Sequence, residues 1–183
     1  MRKASGFIAA VVLLVALSGC AGGQSIHASG SAAGVSRAST AAVACSQAGT
    51  KRFAKTRFLL HAGLGLGAFK KFVYDPFRAG KFKSGASGRV KSIVVAGAAA
   101  LFAYHELKVA KGFAEADKTL CKLVAPLDKL TGSMSSLGSG LKSGKVDDTA
   151  INGVSQQVAS VKGSASSLGT PITERAPPSV GLP

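Results

Sequence analysis

The chain is 183 residues long with 23 Lys and Arg against 8 Asp and Glu, a formal net charge of +15, and it has no Trp and only two Tyr. That length suits one domain with a real core. So strong a positive balance points to anionic surroundings and says nothing of the fold, while a core poor in large aromatics must be built from many small contacts.

In chain order, Arg2 and Lys3 come first, then an unbroken apolar run from Phe7 to Leu17, then Leu17-Ser18-Gly19-Cys20. A cationic start, a short apolar segment and small residues before a cut are what a secretory signal peptide requires. Eleven apolar residues are short for a membrane span, which needs ~20. The ordering Leu17-Ser18-Gly19-Cys20 resembles the lipobox of bacterial lipoproteins. That resemblance implies a signal peptide over residues 1–19 and lipidation of Cys20 as the mature first residue. It also implies localisation at the cell membrane, lipid-anchored on the extracytoplasmic face. An ordinary signal peptide with an incidental Cys20, or an uncleaved anchor, are the other readings. Residues 20–41 hold few large apolar side chains and much Gly, Ser and Ala, as expected of a flexible lipid-anchored tether.

The domain proper is expected over 42–168 and to be all-α: an antiparallel helical hairpin extended to an up-down bundle of about four helices. The first helix reads from about Ala42 to Tyr74, stopped at Asp75-Pro76. Residues 76–88 read as a loop by their Gly and Ser, and a second helix as running from about Ser87 to Val124, ended by Pro126. Cys45 and Cys121 lie symmetrically about residue 83, inside that loop. Folding the two helices back would set them side by side, and in an oxidising compartment they are expected to pair. Two separate buried thiols are the alternative. The same symmetry sets Gly63, Gly65 and Gly67 against Ala98-Ala99-Ala100 and Ala103 as a close small-residue contact, unless the glycines break the helix.

Further on, Leu120, Leu123, Leu127, Leu130, Met134, Leu137 and Leu141 are spaced alternately by three and four, a heptad-like seam. Ile151, Val154, Val158, Val161, Ala165 and Leu168 repeat it after a polar turn, with Asp147 or Asp148 as the N-cap of a last helix. Residues 169–183 carry Pro171, Pro177, Pro178 and Pro183 and are expected to be a disordered tail. Two belts, Phe58–Phe69 and Ile93–Tyr104, hold no Asp, Glu, Lys or Arg and read as core helices too short to span a bilayer. Part of each belt dipping into lipid or meeting a second copy is the competing idea.

Candidate functional residues follow from charge. Between Lys51 and Lys91 there are eleven basic residues and one acid, Asp75. Lys70, Lys71, Arg78, Lys81 and Lys83, with Phe77 and Phe82, form a basic-aromatic tip suited to an anionic interface, where rings enter the headgroup zone and cations meet phosphates. A solvated charged face is the plainer reading. His61 and His105 are placed side by side by the folding symmetry, with Glu106 adjoining, but two imidazoles make only half a metal site, and no metal or other cofactor is expected. No nucleophile elbow, zinc-protease helix, phosphate loop or dinucleotide fingerprint occurs. The expected role is therefore a non-catalytic envelope protein, not an enzyme, binding anionic lipid headgroups or wall polymer, or scaffolding a partner. Nucleic acid is not expected as a partner. A carrier of an apolar ligand or lipid held between the helices is the alternative.

Overall fold

A computed structural model describes Cys45 and residues 49–179; the signal peptide, Cys20 and the tether lie outside the described residues. The described chain is an all-helical bundle. Four main helices follow one another: α1 (Ala54–Phe69), α2 (Arg89–Ala114), α3 (Val124–Lys142) and α4 (Asp148–Ser167). Each packs antiparallel on its predecessor. His61 on α1 meets Glu106 on α2, Lys111 on α2 meets Asp128 on α3, and Gly97 on α2 lies against Leu141 and Lys142 on α3. Between α3 and α4 the chain turns in five residues.

α2 is the central helix, with α1 on one side and α3 on the other. By length and composition alone it could cross a membrane; here its alanines are core. Ala96, Ala99, Ala100, Ala103, Ala110 and Ala114 are buried. Alanine is the best helix former and its small side chain lets neighbouring axes approach. The belts Phe58–Phe69 and Ile93–Tyr104 are accordingly buried or half-buried against the bundle, except for Leu60 and Val94, which are exposed. α3 and α4 work differently. Their seam residues Leu127, Leu130, Met134, Leu137, Leu141, Ile151, Val154, Val158, Val161 and Ala165 are buried while their other faces are polar. The three-four spacing puts those side chains on one stripe, and burial of that stripe holds helices whose Ser and Gly content gives little intrinsic support. Asp147 is the N-cap of α4, its carboxylate accepting from Ala150 N–H at 3.0 Å.

Four expectations need correction. First, Asp75-Pro76 does not end the first helix. α1 runs into a π turn, Lys70–Tyr74, and then one more turn, Asp75–Arg78. Proline would strike the carbonyl four residues back in a regular helix; the wider π turn, closed by Asp75 N–H on Lys70 O, carries Pro76 past it. Second, the helix after the loop stops at Ala114, well short of Val124. Asp117 stops it by accepting from Thr119 and Leu120 N–H at 2.8 and 2.9 Å, and a 3-10 turn over Leu120–Leu123 leads into α3. Pro126 then lies in the first turn of α3, where a missing N–H costs no helical bond.

Third, residues 169–179 are not a loose tail. They run extended over α1, with Thr170 and Ile172 buried, Arg175 N–H donating to Gly63 O at 2.9 Å, and Lys162 Nζ on Glu174 Oε1 at 2.6 Å. Prolines forbid a helix there but suit an extended strap. Fourth, the helix is unbroken at its three glycines, yet only Gly65 faces α2, close to Ala103 O and Leu107. A Cβ on Gly63 would stand 2.5 Å from Thr173 O, and one on Gly67 2.4 Å from the Arg175 carbonyl carbon. Two of the three glycines thus seat the strap, not α2.

Candidate functional site

The two ends of the bundle differ in kind. At the first, Cys45 is joined to Cys121, across 76 residues and with Cα atoms 5.1 Å apart, so the folding symmetry about residue 83 is observed. Around it Gly49 N–H bonds Ala116 O at 2.8 Å, and Lys51 Nζ bonds Gly112 O at 3.1 Å while lying over the Phe113 ring. Arg57 lies over the same ring. His61 stacks on it at 5.7 Å between centroids and places Nδ1 2.7 Å from Glu106 Oε2. His105 is exposed and takes no part, so the expected pair of imidazoles is instead an imidazole and a carboxylate. Each α-helical residue turns about 100° from the last, and that one-residue offset is what separates His105 from Glu106. Among the described residues no group of three or more His, Cys, Asp or Glu could hold a metal ion.

The other end holds the chain reversal after α1, the start of α2, the end of α3 and the start of α4. Lys70 pairs with Asp75 at 3.2 Å, and Lys71 lies over the Phe72 ring at 5.0 Å. Arg78, Lys81 and Lys83 are exposed, and among the described residues none of them has a carboxylate within ion-pair distance. Phe77 and Phe82 are not exposed rings. Phe82 is buried in the core cluster, Phe77 is half-buried against it, and their centroids are 6.4 Å apart. A Phe followed five residues later by another on a glycine-rich loop can fold both rings inward, and the apolar gain favours that in water. They fasten the loop; they do not offer it to lipid.

Exposed apolar surface comes instead from residues that the basic-aromatic pattern did not single out. Val90 is 73 % exposed and Val94 48 %. One helical turn apart, they lie on the stripe of α2 that continues to Leu101, and Leu101 packs on Gly138 of α3. α3 ends at Lys142, opposite Gly97. Past that point the stripe is uncovered. Lys91 lies between the two valines in sequence and is exposed, as are Lys142 and Lys145 where α3 ends. A valine pair at i, i+4 beside lysines was a visible signal, but only the endpoint of α3 makes it surface.

Beside this stripe a cleft of about 490 Å³ opens between the reversal loop and the start of α4, with Arg78, Lys83 and Arg89 in its lining. A second cavity, of about 570 Å³, lies between α3 and α4 and is lined by Leu137, Val154 and several Gly and Ser residues. Between α1 and α2 there is close contact instead, at Gly65 against Ala103 and Leu107.

No protein-family model, curated protein or solved structure matches this chain.

Proposed function

We propose that this chain is a non-catalytic envelope lipoprotein, lipidated at Cys20 and held on the extracytoplasmic face of the cell membrane, whose reversal end lies on an anionic lipid surface. The observation that carries the reading is the exposure of Val90 and Val94 on a stripe bordered by lysines. Apolar side chains among cations suit the headgroup region of an anionic membrane: the valines leave water and the cations meet phosphates. The role first assigned to Phe77 and Phe82 thus passes to Val90 and Val94, while Arg78, Lys81 and Lys83 keep theirs. A basic patch adds a second, electrostatic contact with the membrane to the lipid on Cys20.

Flotation of unacylated Cys20→Ser protein with phosphatidylglycerol or phosphatidylcholine vesicles tests this. Binding to phosphatidylglycerol alone, reduced by added salt and by Val90→Ser with Val94→Ser, is the expected result. Equal binding to both lipids contradicts it.

The cavity between α3 and α4 favours a second reading, a carrier of an apolar ligand, because its Gly and Ser lining leaves room beside Leu137 and Val154. Mass spectrometry of lipid extracted from the purified protein separates the two. Stoichiometric lipid, lost on Gly153→Leu, supports the carrier.

A further inference from the structure

We infer that the cleft between the reversal loop and α4 is a binding site for a glycerophosphate group. The inference rests on the surface reading above for its biological setting and shares Arg78 and Lys83 with it, but Arg89, Asp148 and Asn152 belong to the cleft alone. Three cations converge there from two elements: Arg78 and Lys83 from the reversal, Arg89 from the first turn of α2. Among the described residues none of the three has a carboxylate within ion-pair distance. Three like charges lining one space repel each other, and an anion between them removes that cost.

Arg89 is also pre-set. Its Nε–H donates to Phe82 O at 2.9 Å, and Phe82 is itself buried. The guanidinium plane is therefore fixed to the core while its terminal amino groups stay available, the fork geometry that grips phosphate oxygens in pairs. Less is lost on binding when a side chain is already held.

The remaining lining says what accompanies the phosphate. Asp148 and Asn152, both exposed on the first turns of α4, face the same cleft. A carboxylate beside a phosphate would be unfavourable unless something donates to it. Hydroxyls of a glycerol unit do so, and Asn152 can donate or accept alongside. About 490 Å³ is more room than a bare phosphate fills and leaves space for that unit against Phe77. The chemistry is shared by a phosphatidylglycerol headgroup and by soluble glycerol phosphate, and the two sources call for separate measurements.

Unacylated Cys20→Ser protein is titrated with glycerol 3-phosphate, with glycerol as the control, following the side-chain NMR signals of Arg89 Nε and Asn152. Saturable shifts with glycerol 3-phosphate and none with glycerol are expected. Lys83→Gln, an exposed change that leaves the fold alone, should weaken binding about tenfold, and Arg89→Gln at least as much. Arg89→Lys, which keeps charge but loses the fork, should weaken it too, and Lys71→Gln should change it less than about twofold. No saturable shift, or equal losses in Lys71→Gln and Lys83→Gln, overturns the site. Vesicle flotation keeps the two claims apart. Phosphatidylglycerol binding without a glycerol 3-phosphate response overturns the cleft and leaves the surface reading standing. A glycerol 3-phosphate response without vesicle binding supports the cleft and overturns the surface reading.

Discussion

The two ends of this bundle carry similar kinds of residue and engage them to different degrees. At the disulfide end, several cations are held by the protein: Lys51 caps a carbonyl of α2, Lys51 and Arg57 lie over Phe113, and Lys111 pairs with Asp128, while Arg52, Lys55, Lys118 and Lys122 are exposed, as is Phe53. At the reversal end, Arg78, Lys81, Lys83 and Lys91 are exposed with no such partner among the described residues, and two valines stand open beside them. A charge satisfied internally contributes to the fold; one left over is available to something else. The convergence of Arg78, Lys83 and Arg89 on one cleft, more than the total charge, locates the candidate site.

Breaking the stapled end should have the largest effect. A disulfide closing a 76-residue separation constrains the unfolded chain, so Cys121→Ser should lower unfolding free energy by about 4 kcal/mol, read by urea denaturation. Little change would mean that the hairpin holds its open end by packing alone. Next comes the strap. Gly67→Ala places a methyl against backbone at Arg175, where no rotamer change relieves it, and should cost about 1–3 kcal/mol with earlier proteolysis of residues 169–179. Gly132→Ala, where an added Cβ meets nothing within 4 Å, should instead stabilise by up to about 1 kcal/mol through helix propensity. If Gly67→Ala behaved like Gly132→Ala, the strap would not be seated on α1.

The smallest effect concerns Lys111. Its hydrogen bond from Nζ to the Asp128 carboxylate raises its pKa above the ordinary 10.5. A raised pKa means the folded state favours the charged lysine, so this contribution is fully present below pH 10.5 and fades as pH rises through the higher folded value. Asp128→Asn should therefore be less stable than the parent at neutral pH and equal to it at strongly alkaline pH, by thermal melts across that window. Both groups are partly solvated, so the difference stays small.

What was legible in the residues, and what was not, divides along physical lines. The seams of α3 and α4, the Asp147 cap and the position of the reversal were legible because each follows from local spacing: a three-four period, a carboxylate three residues before an N–H, two cysteines equidistant from a glycine-rich loop. The strap was not. Gly63 and Gly67 announce a close approach but do not name the partner, and Pro171 and Pro177 exclude a helix without excluding an extended packed segment. The end of the helix at Ala114 escaped because Asp117 acts through its side chain while the apolar pattern runs on to Leu123. At the candidate site the cations were visible one by one. Which apolar residues joined them was decided by where α3 stops, a fact of tertiary packing that no local pattern around Val90 records.

The central claim is that the reversal end, not the disulfide end, meets the membrane. Spin labels at position 94 and, separately, at position 118 of the disulfide end should be compared by collision with membrane-dissolved oxygen, using unacylated protein on phosphatidylglycerol vesicles. Oxygen exposure should rise at 94 and stay unchanged at 118. Equal changes at both positions, or a rise at 118 alone, would contradict it.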